Sequence, residues 1–293
     1  MAVRAVRTLG GELRIAFLAG LAGVLASGFA LLIGPDAGAG DGATYLGFRL
    51  LDLENQSVRW QTPTFGAGAV VTYAFVNAPV TTEGARNCAR MVPPEAAYAP
   101  SQISEQSFRD EVAAAFRMWE GVADITFRET ADTATAGILI GAQADPVGRA
   151  FTNVSLSGED EGRKVIGRSL ICLNPKQPWK VGFDGRLDTY DLRYTMAHEI
   201  GHAIGLDHPS AAGQLMSYRY DEKQTDLQAG DIKGAALLYG PRPGTRSFAA
   251  TGPAETANAA PDAENGRLFG IGDRNGSSTA PVSTGSLPDK ARR

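Results

Sequence analysis

The chain has 293 residues, of which 43% are hydrophobic and 20% are charged. These proportions suit a globular protein with a buried core, and the length allows one large domain or two small ones. The formal net charge of −4 offers no basic surface to nucleic acid, so we expect no nucleic-acid partner.

Residues 1–36 have the pattern of an export segment. A basic leader precedes an uncharged run over 15–34, which is longer than an ordinary signal core and just long enough to cross a bilayer. The small residues 37–39 offer a cleavage site, so a cleaved signal and a retained membrane anchor both stay open. We therefore predict a secreted or cell-envelope protein, with a flexible spacer over 37–45. The basic residues of the leader are Arg4, Arg7 and Arg14.

Folded patterning begins near residue 46. A β-rich stretch predicts a strand over 70–75. The segment 84–100 contains several prolines and is predicted to be a loop. Apolar residues then recur at helical spacing and predict an amphipathic helix over 104–120, whose aromatic residues we assign to the core.

Short apolar runs in the middle of the chain predict further strands, and an acidic turn over 158–162 separates the last two. The turn has two interpretations, a Ca²⁺ site or a solvated loop. The loop is favoured because the oxygen-ligand spacing of a known calcium loop is missing. The predicted strands are 125–127, 138–140, 148–154 and 169–173.

Two more helices are predicted near the end of the folded region, over 191–204 and 228–239. After residue 243 the composition shifts to Ala, Gly, Pro, Ser and Thr, so 244–293 is predicted to be a disordered tail. Strands, a helix, more strands and two late helices together predict an α+β domain spanning 46–243.

The chain has two cysteines, Cys88 and Cys172. In an oxidising compartment they could form one disulfide. Sequence alone does not show whether their Cα atoms lie within bridging range, so the bridge stays open at this point.

The three histidines of the chain all fall in one eleven-residue pattern, HEIGHAIGLDH. His198 and His202 are four residues apart, so on a helix they lie on one face, within reach of a single cation. Gly205 can take the positive φ that ends a helix, which lets His208 return toward the same point. Three protein ligands leave a position for water, as in catalytic zinc sites.

Glu199 follows the first of these histidines and lies on the same side of the helix. We predict that it accepts a proton from the zinc-activated water and later protonates the leaving amine. The alternative is that the histidines are spaced by chance, which is disfavoured because no histidine occurs elsewhere in the chain. The apolar residues of the opposite helix face are Leu192, Met196, Ile200 and Ala203.

With a methionine turn after it, this extended pattern resembles the signature of the metzincins. Met216, eight residues after His208, is the turn candidate, and the resemblance implies that it forms an apolar floor beneath the metal. Its alternative interpretation is an ordinary core methionine.

Within that clan, the chain most closely resembles the matrixins, over roughly residues 55–241. The resemblance implies a twisted, mostly parallel sheet with an active-site helix and a C-terminal helix. It further implies a zinc metalloendopeptidase, expected as a monomer, whose protein or peptide substrate lies extended along an edge strand, for which 148–154 is the candidate. Likeness outside the signature is found in 71–75, 118–120, 125–127 and 227–240.

The chain also departs from the matrixin pattern. No histidine remains for a second, structural zinc, and the prodomain cysteine-switch motif is absent. Tyr218 is similar to a tyrosine of serralysins and astacins that approaches the metal. It could stabilise an oxyanion or pack in the wall, and packing is favoured. Tyr220 matches a matrixin position that lines the pocket for the residue after the cleaved bond.

Two other functions compete with the endopeptidase. One is a zinc-dependent binding module without turnover, which would be expected to have lost Glu199 or a ligand. The other is a zinc hydrolase of non-peptide amides or esters, which only a substrate comparison separates from a peptidase.

Overall fold

The structure is a computed structural model, and it describes residues 47–160, 163–244, 267–268 and 282–285. Within those ranges, none of the helices combines the length and the apolar character needed to cross a membrane. Several predictions lie wholly or partly outside the described residues. They are the export segment 1–36, the spacer 37–45, the acidic turn 158–162 and most of the tail 244–293.

A central sheet organises the domain, and eight of its strands lie in the described residues. Each predicted strand is present, and most extend beyond the predicted bounds because the sequence patterns marked only their most apolar parts. In chain order the strands are β1 (Ala69–Phe75), β2 (Val80–Thr81), β3 (Arg90–Val92), β4 (Ile125–Glu129), β5 (Ile138–Gln143), β6 (Ala150–Asp160), β7 (Arg163–Leu173) and β8 (Val282–Gly285).

The sheet is parallel through its middle, where β7, β5, β1 and β4 lie side by side in that order. At one margin β6 forms an antiparallel hairpin with β7, and β8 pairs antiparallel with the outer side of β6. The short β3 pairs antiparallel with both β2 and the end of β5. This arrangement confirms the predicted α+β class with a mostly parallel core.

Smaller two-stranded pairs connect loops to this framework. Their members are Arg49–Leu50 with Leu206–Asp207, Asp52–Leu53 with Gln56–Ser57, Trp179–Lys180 with Tyr190–Asp191, and Arg219–Tyr220 with Arg267–Leu268.

The three long helices begin and end close to their predicted bounds. The Ser104 hydroxyl caps the first by accepting a hydrogen bond from the main-chain N–H of Ser107. Gln228 and Asp231 form a capping box at the start of the last helix. The helices of the domain are α1 (Glu95–Tyr98), α2 (Glu105–Glu120), α3 (Leu192–Ala203) and α4 (Ala229–Tyr239).

The prediction that 84–100 is a loop was wrong in part. It contains β3, α1 and a 3₁₀ turn over Ala99–Ser101. Pro94 lies at the N-cap of α1 and Pro100 lies in the first turn of the 3₁₀ segment. Proline is compatible with the first turn of a helix, where its missing N–H has no intrahelical partner, so these prolines begin helical turns.

The sheet has a buried cluster on each face, because successive strand residues point to opposite sides. The larger cluster lies between the sheet and the helices, and includes Ile140, Trp119 and Ile200. The smaller cluster, on the other face, includes Leu139 and the two cysteines. Cys88 and Cys172 form a disulfide there, with Cα atoms 5.7 Å apart, so the bridge left open by the sequence is present.

Candidate metal centre

Helix α3 carries two of the three histidines and Glu199. The Asp191 carboxylate caps its first turn by accepting a hydrogen bond from Tyr194 N–H at 2.8 Å. His198, Glu199 and His202 have no solvent exposure. The histidine side of the helix is therefore as buried as the apolar side.

Gly205 ends the helix as expected, with φ +104°. A Cβ at this position would overlap the main-chain oxygen of Val58, so close backbone approach as well as dihedral angle requires glycine here. After the turn, the chain pairs with Arg49–Leu50 through Leu206–Asp207 and brings His208 back over the helix.

The three imidazoles converge on one point. The Nε2 atom of His208 lies 3.0 Å from Nε2 of His198 and 3.1 Å from Nε2 of His202. Each residue offers one ligand atom, and these atoms lie within 4.8 Å of one another. The spacing of the three residues in the sequence thus produces one compact set of nitrogen atoms.

Main-chain carbonyls orient two of these rings. His198 Nδ1 lies 2.9 Å from Leu215 O, and His202 Nδ1 lies 2.8 Å from Leu206 O. A carbonyl oxygen only accepts, so each Nδ1 is the protonated nitrogen and each Nε2 presents a lone pair to the centre. Burial lowers the pKa of all three imidazoles, which keeps them in the neutral form that a metal requires.

Glu199 lies beside this cluster and contacts the sheet. Thr152 Oγ1 is 2.7 Å from Glu199 Oε2 and 2.9 Å from the main-chain oxygen of the same residue. Burial raises the pKa of the Glu199 carboxyl to about 8, although the hydrogen bond from Thr152 acts in the opposite direction. The other carboxylate oxygen, Oε1, is buried without a hydrogen-bond partner in the described part of the chain.

Met216 packs beneath α3 against Gly201. A Cβ on Gly201 would overlap the Met216 sulfur and would come within 2.9 Å of the Trp119 ring. Glycine inside a helix is less stable than alanine by about 1 kcal/mol. Glycine is nevertheless needed at position 201, because a larger residue would overlap Met216. The methionine turn is fixed from the other side, where Asp231 accepts hydrogen bonds from the main-chain N–H groups of Leu215 and Met216 at 2.8 and 3.1 Å.

The two predicted tyrosines differ in their surroundings. The half-buried Tyr218 ring lies edge-on to His208, with centroids 5.1 Å apart. Tyr220 is buried, and its hydroxyl accepts from Asp191 N–H at 3.1 Å and donates to Glu222 at 2.7 Å. The structure thus places Tyr218 at the histidines and Tyr220 farther along the same segment, beside the start of α3.

Sequence reasoning missed two residues of the centre. Thr152 carries no local signal, because its contact with Glu199 joins residues 47 positions apart. Asp231 had a local signal, because an acidic residue in the first turn of a helix is stabilised by the positive end of the helix dipole. Its carboxylate serves both the cap and the methionine turn.

The donor set and its geometry fit zinc. Zn–N bonds of about 2.0–2.1 Å in a tetrahedral site separate ligand nitrogens by about 3.3 Å, close to the 3.0 and 3.1 Å found between Nε2 atoms here. His198 and His202 have their Nδ1 atoms engaged by carbonyl oxygens, as is usual in zinc-binding histidines, whereas Nδ1 of His208 is buried without a hydrogen-bond partner in the described residues. The unpartnered Oε1 of Glu199 adds a buried acceptor beside the three nitrogens.

The mixed sheet, the histidine helix with its glycine turn and the methionine turn together define a metzincin-type domain. Comparison with known proteins agrees, because residues 96–240 match the family model described as matrixin. The chain therefore carries a matrixin-like metzincin domain. The likeness to serralysins and astacins rests on single residues such as Tyr218.

Similar proteins come from a plant and from animals. Metalloendoproteinase 1-MMP of Arabidopsis thaliana is 31% identical over 137 residues, covering 45% of this chain and 38% of the relative. Hatching enzyme of Paracentrotus lividus is 27% identical, covering 52% and 26%. Interstitial collagenase B of Mus musculus is 29% identical, covering 50% and 31%. The chain thus spans well under half the length of each of these relatives.

Proposed function

We propose that the protein is a zinc-dependent metalloendopeptidase that hydrolyses internal peptide bonds. His198, His202 and His208 are the proposed zinc ligands, and Glu199 is the proposed general base. The observation that carries the proposal is the convergence of three neutral Nε2 atoms within about one coordination sphere.

Zinc bound there would supply a Lewis acid that polarises the scissile carbonyl and acidifies water. Glu199 would take the proton of that water on its buried carboxylate and deliver it to the leaving amine. Burial raises the pKa of this carboxyl, and a bound cation would act in the opposite direction, toward the carboxylate form that accepts the proton. Thr152 would hold one carboxylate oxygen, leaving Oε1 to face the reaction.

The substrate would be an extended segment of protein or peptide. Main-chain recognition along a sheet margin gives affinity with little dependence on sequence, and the start of β6 is the margin next to Glu199. We assign Tyr218 to packing against His208 and Tyr220 to the pocket for the residue after the cleaved bond. Met216 is the proposed floor beneath the metal.

We also propose that the protein works outside the cytosol. The support is the disulfide between Cys88 and Cys172, since such bonds persist in oxidising compartments and are rare in the cytosol.

The decisive experiment compares Glu199→Ala with the exposed control Glu83→Ala. The first variant should bind zinc stoichiometrically and lose peptide hydrolysis by at least about 100-fold, the lower range for a general base. The control should match the wild type in both. Full activity in Glu199→Ala would overturn the mechanism. Hydrolysis of small amides or esters without cleavage of denatured proteins would show that the substrates are not proteins or peptides.

A further inference from the structure

Two segments from the C-terminal region pair with strands of the catalytic domain near the metal centre. β8, Val282–Gly285, runs antiparallel to β6, with Thr284 opposite Thr152 and Val282 opposite Val154. Arg267–Leu268 runs antiparallel to Arg219–Tyr220. Both are main-chain pairings in regular register.

These two partner strands lie near the candidate site. β6 contributes Thr152, whose hydroxyl contacts Glu199. Arg219–Tyr220 directly follows Tyr218, whose ring lies against His208. The C-terminal region is thus paired with one strand next to the proposed general base and with another next to the third proposed ligand.

We propose that β8 binds along β6 beside the metal centre as an extended, substrate-like occupant, and so competes with peptide substrates. The inference rests on the proposed endopeptidase function and names an intramolecular competitor for it. Without β8, the outer side of β6 would present unpaired N–H and C=O groups, which is the surface an extended peptide needs.

A tethered segment has an advantage over a free peptide. Attachment through the same chain raises the effective concentration of β8 at β6 above that of a free peptide, so a weak main-chain ladder can still be occupied. Ladder hydrogen bonds depend little on side-chain identity, and the small, uncharged sequence of Val282–Gly285 is compatible with this mode. A pairing of this kind can open and re-form, so a substrate can displace β8 from β6.

The test removes ladder donors from β8 in the full-length protein. Successive N–H groups of a strand point to opposite sides, so Ser283→Pro with Thr284→Pro removes whichever one faces β6. The matched control is Ser278→Pro with Thr279→Pro, which changes the same two residue types outside the paired segment.

The first readout is amide hydrogen exchange of residues 151–154, which does not need an active enzyme. The β8 variant should exchange roughly tenfold faster than the wild type at the amides facing β8, because local protection follows local pairing. The control variant should match the wild type. Equal exchange in all three proteins would overturn the proposal.

The second readout is steady-state hydrolysis of a fluorogenic peptide. A tethered competitor raises the apparent KM, so the β8 variant should show a KM lower by about threefold or more with kcat unchanged. A synthetic peptide of residues 280–287 should inhibit that variant competitively. If hydrolysis depends on Glu199 but neither the amide exchange nor the KM changes in the β8 variant, only the proposed competition by β8 is wrong. If the exchange changes while every protein is inactive, only the proposed peptidase activity is wrong.

Discussion

The two faces of the central sheet are stabilised in different ways. On the helix face, a large cluster joins the sheet to α2, α3 and α4, and the histidines lie at its margin. On the opposite face a smaller cluster includes residues of the segment 80–92, which contains β2 and β3, and the disulfide between Cys88 and Cys172 lies in it. Non-covalent packing supports the first face, and a covalent bond supplements the second.

The helix face of the sheet therefore carries the candidate site, and the opposite face carries the covalent cross-link. Strand β6 contributes to both faces, because Thr152 shares a side with Ala150 and Val154 while Phe151 points to the disulfide side. A change on the helix face should therefore alter catalysis first. A change on the disulfide face should alter stability while leaving the centre intact.

Removing zinc is the strongest test of the helix face. Dialysis against a chelator should reduce peptide hydrolysis to below about 1% of its starting value, since both the Lewis acid and the activated water would be lost. Adding one equivalent of zinc should restore hydrolysis, as measured with a fluorogenic peptide. A chelated, metal-free protein that retained full activity would contradict the assignment of the three histidines.

Replacing Cys88 and Cys172 by alanine tests the opposite face. The bridge spans 84 positions, and in the chain-entropy account a closed loop of that length raises the free energy of the unfolded chain by about 4–5 kcal/mol. We expect a comparable loss in the free energy of unfolding, measured by denaturant titration. Zinc content and kcat of the folded fraction should stay unchanged.

The control for this variant is the wild type under reducing conditions, which should show a similar loss of stability without any change of sequence. A variant that kept its stability but lost zinc would show that the two faces are not separable in this way.

The helix face was also the more predictable of the two. The spacing of His198 and His202 is local, so helix periodicity alone placed both rings on one side. Gly205 signalled the turn, and apolar residues at helical spacing predicted α2. The disulfide could not be settled, because nothing local reports the distance between residues so far apart in sequence.

Two other features were not predicted, one because it depends on a long-range contact and the other because its residue type is compatible with two structures. Thr152 meets Glu199 only after the sheet has packed against α3. Pro94 was taken to exclude regular structure, but proline both breaks helices and begins them, and the surrounding fold decides which. Long-range packing therefore supplied what the local patterns did not contain.

Gly201→Ala sharpens the comparison within the helix face. The new methyl group would overlap Met216, so we expect a loss of about 1–3 kcal/mol in the free energy of unfolding, as for other overpacked cores. Gly121→Ala is the matched control. It makes the same change at an αR residue, where a Cβ would approach no atom closer than 3.2 Å. Equal stability of the two variants would show that the Met216 contact does not restrict this position.

Thr152 gives the smallest and most specific effect, because its hydroxyl contacts the carboxylate of the proposed base. Its hydroxyl has one proton, and donation to a carboxylate is stronger than donation to a neutral carbonyl, so Oε2 of Glu199 is the favoured acceptor. Thr152→Val keeps the shape of the side chain and removes this donor. We expect kcat to fall by roughly tenfold, the equivalent of one hydrogen bond to a charged group, with KM unchanged.

Thr152→Ser is the conservative partner of that variant, because it restores the donor and loses only a methyl group. It should recover most of kcat, while zinc content should match the wild type in both variants. If valine and serine lowered kcat equally, Thr152 would act through packing of β6 against α3 and not through the hydroxyl. If only serine restores kcat, the hydroxyl on β6 helps to orient the carboxylate of Glu199, and the sheet as well as the helix positions the proposed base.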